Sequence, residues 1–336
     1  MPDQSRVPQW RTAREVVAGS DLALLRRHEL LGVGVGIKIT AGRATDQPCV
    51  KAFVREKLPR ARLSRERLVP ETITRPTGEV STDVEEMEVP TAPPWRVDPT
   101  GLREATSVGT RSRDRPLRGG DSIAHFRSLL GTAGVVVRDP GNPVATVVLS
   151  CNHVLAELNR AWLGDPVLQP ARGDGGRRPF DICGTLYRFV PVRFGLSAGN
   201  RVDAAIARVP GGAPFIEWVG PLRSVRPVEE SLVGAPVFKV GRTTGFTEGF
   251  VQAVHFTGWI PYPPLLGGGV ALFREQMVTT PMAAFGDSGA VLCDSAANGL
   301  GLLFAGSPTH TLYNSLEYVL DELGSPQRVA ADDAPP

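Results

Sequence analysis

A chain of 336 residues with 42% hydrophobic and 21% charged residues carries enough apolar side chains for a sizeable core, which excludes global disorder. Its formal net charge of +2, from 37 basic and 35 acidic residues, lacks the basic excess that marks a nucleic-acid binder. The sequence has no apolar run of roughly 18 residues and so no membrane-spanning helix. The four cysteines, Cys49, Cys151, Cys183 and Cys293, include no CxxC pair. They make neither a disulfide framework nor a structural zinc site. The first residues lack a secretory pattern, so the expectation is a cytoplasmic protein with reduced thiols.

The chain opens on a helical pattern over residues 10–31. Val16, Val17, Leu22, Leu24, Leu25 and Leu31 recur near helical spacing. Gly19-Ser20-Asp21 is placed to end one helix and cap the next. Val33, Val35 and Ile37 then alternate with glycine and lysine as a strand. Residues 41–48 read as its turn, and Cys49–Val54 as a second strand of a hairpin. A phosphate loop needs its glycines at the start of a helix. The glycines of GVGVG, 32–36, lie inside a strand instead and read as close backbone packing. Glu79–Val89 is a further strand, and residues 10–92 form a small α/β domain.

Residues 93–119 are rich in Pro, Arg, Gly, Ser and Thr without periodicity and read as a linker. Its arginine cluster, 111–118, reads as a solvated run, with anion or partner binding as the alternative. From 131 onward the texture is short strands broken by Gly and Pro, the pattern of a barrel or sandwich. Leu312–Leu323 places Leu312, Leu316, Val319, Leu320 and Leu323 on one helical face. Residues 326–336 form a disordered tail.

Three segments carry chemistry. Gly286-Asp287-Ser288-Gly289 offers a serine hydroxyl just before an apolar strand. Such a hydroxyl needs a base, and donors for the oxyanion it creates. The backbone N–H groups of Gly286 and Ser288 are the candidate donors. LSCNHVLA places His153 just after an apolar strand, although a lone histidine at a strand end is more often structural. NRVDAAIARV places Asp203 at the start of another. Taken alone, Asp203 also fits an exposed turn; if buried, it needs a partner, and a histidine N–H supplies one. The order His153, Asp203, Ser288 is one of the orders in which such groups recur. Cys151, two residues before His153, reads as buried packing, with a redox or metal role beside His153 as the minor alternative, minor because a metal would compete with the base.

On these segments the sequence resembles the chymotrypsin-like serine peptidases, most closely the HtrA-type and bacterial trypsin-like group. The hairpin VFKVGRTTGFTEGFV, 237–251, adds to that likeness. The glycine-rich strand followed by CVKAFVREKLPR resembles the NARROW LEAF-type proteases of plants and their bacterial relatives. The resemblance covers 120–325 as a protease domain and implies a mainly β fold, a chymotrypsin-like double β-barrel. Beside it stand the small N-terminal α/β domain and a C-terminal helix. His153 and Asp203 would come from the first barrel and Ser288 from the second. No activation site of the type that inserts a new N-terminus precedes the domain, so Asp287 needs another partner.

The resemblance also implies a specificity pocket from Pro281–Phe285 and Phe304–Ser307. Met282, Phe285 and Phe304 would line it, and Gly306 would offer backbone hydrogen bonds to an extended substrate. Met282 stands where trypsin-like enzymes carry an aspartate, so the residue before the scissile bond is expected to be small or apolar. The expected activity is serine endopeptidase, with no cofactor and no metal. Its partners would be peptide or protein substrates and not nucleic acid or membrane, with the N-terminal domain as a surface for homo-oligomers. The alternatives are a catalytically silent binding or regulatory protein and an esterase.

Overall fold

The computed structural model describes residues 7–93, 111–139, 142–210, 224–264 and 267–324. Most of the segment read as a linker and the whole of the tail lie outside them. The architecture is mainly β, with two sheets.

Strands β5 (Ala124–His125), β6 (Val136–Asp139), β7 (Asn142–Ser150), β8 (Pro166–Leu168), β9 (Ile182–Phe189) and β11 (Ala205–Val209) form the first sheet, in the order β5-β8-β9-β11-β7-β6. Its ends meet: Ile123 N–H donates to the Gly131 carbonyl at 3.0 Å and Ala133 N–H to the Asp121 carbonyl at 2.8 Å. These bonds join the β5 side to the run-in of β6, which closes a barrel.

The second barrel uses β12 (Pro236–Gly241), β13 (Gly245–Pro261), β14 (Val270–Thr279), β15 (Val291–Asp294), β16 (Gly299–Gly306) and β17 (Thr311–Ser315). They run β14-β17-β16-β15-β12-β13, and β13 pairs back onto β14 to close the ring. Alternation along β16 and β17 is invisible in the sequence because every residue of both strands is buried. A short strand β10 (Gly195–Asn200) adds in parallel to β14.

The N-terminal elements join this second sheet. Helix α1 (Val7–His28) precedes β1 (Gly32–Thr40), β2 (Arg43–Val54), β3 (Thr72–Arg75) and β4 (Gly78–Glu86). One edge of β13 carries β14. Along the other, β12 pairs with residues 245–250, and β1 takes over at 253–258. Ala13, Val16, Val17 and Leu25 of α1 pack against Val33, Val35, Val254 and Leu272 beneath. Each such valine or leucine buried stabilises the joint by ~1.5–3 kcal/mol. The glycines of β1 face the other way. A Cβ at Gly32 would strike the Phe256 ring, and one at Gly36 would come within 2.8 Å of Lys51 Cδ and of the Gln252 carbonyl.

Four local expectations need correction. The helix does not break at Gly19-Ser20-Asp21 but runs through it. Asp21 is ion-paired with Arg274 of β14 and so does not cap a second helix. The first hairpin turns at Ala41-Gly42 alone, with β2 already under way at Arg43. The arginine run is partly docked, since Arg113 donates to the Phe180 carbonyl at 3.1 Å, Arg115 to Gln169, and Leu117, two residues further on, is buried. Finally, residues 311–315 are strand, and the C-terminal helix α3 covers only Leu316–Glu322. Its apolar spacing extends into β17 because Leu312 and Tyr313 are buried in the two cores on opposite faces.

Candidate active site

His153 lies on a single helical turn, α2 (Asn152–Leu155), just after β7, and Asp203 lies two residues before β11. The antiparallel pairing of β7 with β11 brings those strand ends together, with Ser150 opposite Ala205. Asp203 Oδ2 lies 2.7 Å from His153 Nδ1, and Oδ1 accepts the His153 backbone N–H at 3.1 Å. The Tyr262 hydroxyl donates to Oδ2 at 2.7 Å. Behind it, the Asp203 N–H donates to Asn314 Oδ1 at 2.9 Å, and Asn314 is fixed in turn by Gln276.

Asp203 is completely buried. Burial raises its carboxyl pKa, but the His153 ring and the donors around it outweigh that and hold it below the usual carboxylate range. An ionised carboxylate only accepts hydrogen bonds, so Nδ1 carries the proton and Nε2 presents a lone pair. Tyr262 was missed in the sequence. It stands between prolines in Ile260-Pro261-Tyr262-Pro263, a stretch with no periodicity to single it out.

Ser288 stands in the loop between β14 and β15, in the second barrel, and first-barrel groups hold that loop. The Thr132 N–H donates to the Ser288 carbonyl and Thr132 Oγ1 to the Gly286 carbonyl, both at 2.8 Å. Gly286 has φ +102, and a Cβ there would come within 2.5 Å of Thr243 Oγ1, so glycine is required on both counts. Neither the Gly286 N–H nor the Ser288 N–H donates to a backbone carbonyl among the described residues. Ser288 Oγ and His153 Nε2 are both buried and neither has a hydrogen-bond partner.

Asp287 turns inward, where Thr243 N–H (2.7 Å), Thr244 Oγ1 (2.7 Å), Ala284 N–H (2.9 Å) and Thr244 N–H (3.2 Å) all donate to its carboxylate. The Lys239 ammonium, fully buried, lies 3.4 Å away. Burial lowers the Lys239 pKa, and Asp287 works against that. Lys239 is therefore the partner that the sequence left open. The sequence signal was a lone lysine at an inward position of the alternating strand Val237-Phe238-Lys239-Val240. Next to it, Arg242 is ion-paired with Asp174 of the first barrel, a second tie across the seam.

Of the expected pocket residues, Met282 and Phe304 fall in different cores. Met282 packs with Tyr313, Leu292 and Leu303 inside the second barrel, and Thr247 Oγ1 donates to its carbonyl at 3.0 Å. Phe304 packs against Phe273, with ring centroids 4.7 Å apart. Phe285 is half-buried, and its carbonyl accepts Thr243 Oγ1 at 2.7 Å. Gly306 ends β16.

Residues 18–86 match the family model described as NARROW LEAF 1 N-terminal domain. A similar protein is Protein NARROW LEAF 1 of Oryza sativa subsp. japonica, 26% identical over 250 residues. That match covers 68% of this chain, and the chain spans 42% of the relative's length. Solved structures similar to this chain are serine proteases. One is Thermobifida fusca Protease A, 18% identical, with TM-score 0.41, covering 62% of this chain and 95% of that one. Another is Cellulomonas bogoriensis chymotrypsin, also 18% identical, with TM-score 0.38 and the same coverage. A glutamic acid specific serine protease is 19% identical, with TM-score 0.42, covering 62% of this chain and 98% of that one.

Cys151, His153 and Asp203 offer ligand atoms all within 4.8 Å of one another. The donor set is arranged for hydrogen bonds instead of an ion. His153 Nδ1 is engaged by Asp203, and the Cys151 thiol donates to the Leu303 carbonyl at 3.0 Å. Burial pushes that thiol far above its ordinary pKa, which disfavours the thiolate a metal needs. All four cysteines are free and buried. No described helix is long and apolar enough to cross a membrane.

Proposed function

We propose that the chain is a serine endopeptidase. The observation that carries this reading is the buried 2.7 Å pair between His153 Nδ1 and Asp203 Oδ2, which leaves Nε2 unpartnered. His153 Nε2 takes the Ser288 proton as Oγ attacks a peptide carbonyl. Asp203 holds the tautomer and stabilises the imidazolium. The Gly286 and Ser288 N–H groups receive the oxyanion, for which such preformed donors contribute roughly 3–4 kcal/mol each. The imidazolium then protonates the leaving amine, and water, deprotonated by the same ring, releases the acyl group. Met282, which carries no charge, supports a small or apolar residue before the scissile bond. The free thiols are in keeping with the cytoplasm.

The second reading is a protease-fold binding protein without turnover. It is favoured by one observation, that Ser288 Oγ makes no hydrogen bond to His153 Nε2. Catalytic hydrogen bonds often form only with substrate in place, so the endopeptidase reading stands first. A fluorophosphonate probe separates the two. Wild type is expected to label, and Ser288→Ala to lose labelling and at least ~10³-fold in peptide turnover. No labelling of a folded wild type would leave the binding protein.

A further inference from the structure

The edge of β16 at Gly306 is not open. The Thr91 N–H donates to the Gly306 carbonyl and the Gly306 N–H donates back to the Thr91 carbonyl, both at 3.0 Å, which makes an antiparallel pair. Ala92, fully buried, donates its N–H to the Pro261 carbonyl at 3.1 Å and shares a core with Phe304 and Tyr262. Tyr262 is the residue bonded to Asp203. Further back, the Glu88 N–H donates to Thr309 Oγ1 at 3.1 Å. Glu85, at the end of β4, lies 3.1 Å from His310 Nε2 and is paired with Lys51. Residues 85–92 are thus tied at three places to the β16–β17 side of the second barrel. Leu303, three residues before Gly306 on the same strand, accepts the Gly289 N–H beside Ser288 at 2.8 Å.

Under the proposed peptidase reading, Gly306 is the residue whose backbone an extended substrate would use. Its one N–H and one C=O are already held by Thr91. We propose that Glu88–Pro93 is an intrinsic strap on the substrate-strand edge of β16, and that an extended peptide must displace it to be cleaved. The proposal rests on the peptidase reading of this site. Apparent affinity for peptides is then reduced by the fraction of molecules whose edge is free, whereas a reagent small enough to reach Ser288 without strand pairing is not affected.

The test replaces the donor, Thr91→Pro, in the full chain, with Thr91→Ser as the control that keeps the N–H. An alanine- and leucine-rich fluorogenic hexapeptide is compared with a small acyl ester and the fluorophosphonate probe. Thr91→Pro is expected to raise kcat/KM for the hexapeptide about fivefold to tenfold, mainly through KM, as loss of one hydrogen bond allows. Ester turnover and labelling should stay within about twofold. Unchanged or reduced hexapeptide turnover with labelling intact would overturn the strap. Absence of labelling in wild type and variant alike would instead overturn the peptidase reading. Binding of the same hexapeptide to Ser288→Ala, with and without Thr91→Pro, then decides the strap alone; tighter binding supports it and equal or weaker binding overturns it. Should Thr91→Pro fail to fold, hydrogen exchange on Ser288→Ala replaces it. Added hexapeptide should deprotect the Thr91 amide while Gly306 stays protected, and protection of both with peptide bound would refute displacement.

Discussion

Asp203 stays charged although no water reaches it, because His153 donates twice and Tyr262 once to its two oxygens. Each donor to a buried charge is worth ~1.5–3 kcal/mol. Tyr262→Phe removes one donor without creating a large void. It should lower the unfolding free energy by ~1.5–3 kcal/mol and peptide turnover by about tenfold. Urea titration and steady-state kinetics check both figures, and an unchanged turnover would show that Tyr262 does not act through Asp203. At this scale the sequence was most readable where the chemistry is dense and local. The residues GDSG, NHV and VDAA each sit at a strand boundary that the apolar runs already marked. Tyr262 and Asn314 were unreadable for the opposite reason. Their roles come from contacts with residues 59 and 111 positions away, and no pattern in one sequence records such a pairing.

The loop from Ala284 to Gly289 depends on β12 and the turn after it. Lys239 and Asp287 are both wholly buried, and removing one member of such a pair costs about 3–5 kcal/mol. Lys239→Met keeps the volume but leaves Asp287 to its four donors. It should lower stability by about that much, and any folded fraction should label more slowly with the fluorophosphonate because the Gly286 and Ser288 amides lose their fixed direction. Denaturation curves and labelling rates on the same preparation check this. If labelling were lost with stability intact, the pair would orient the loop without holding the fold. Element boundaries were harder to read than element types. The stretch from Leu312 to Leu323 shows helical spacing, yet its first third is a buried strand. Burial on both faces erases the alternation that tells strand from helix.

Across the molecule, the N-terminal elements and the second barrel share one eleven-stranded sheet, and polar side chains reinforce the joint. Burial by itself would raise the Glu85 carboxyl, but His310 and Lys51 outweigh it and hold it at about 2, against an ordinary 4.5. The folded value lies below the unfolded one. Its stabilisation is therefore complete above pH 4.5 and is lost as pH falls toward 2. Glu85→Gln should be less stable than wild type by ~3 kcal/mol at neutral pH, with the gap narrowing across that acid window. Urea midpoints measured against pH would show it, and a gap independent of pH would remove the ion pair as its cause. The sequence revealed the N-terminal helix and its hairpin but not the joint, since pairing between β1 and β13 links residues more than two hundred positions apart.

That joint has a consequence for self-association. Within a few residues β13 passes its edge from β12 to β1. If the hairpin peeled away, the 253–258 stretch of a 17-residue strand would be left with one edge of bare amides and carbonyls, a template onto which another molecule's hairpin fits as well as its own. The bond that makes one chain whole is therefore also the place where two chains could exchange arms.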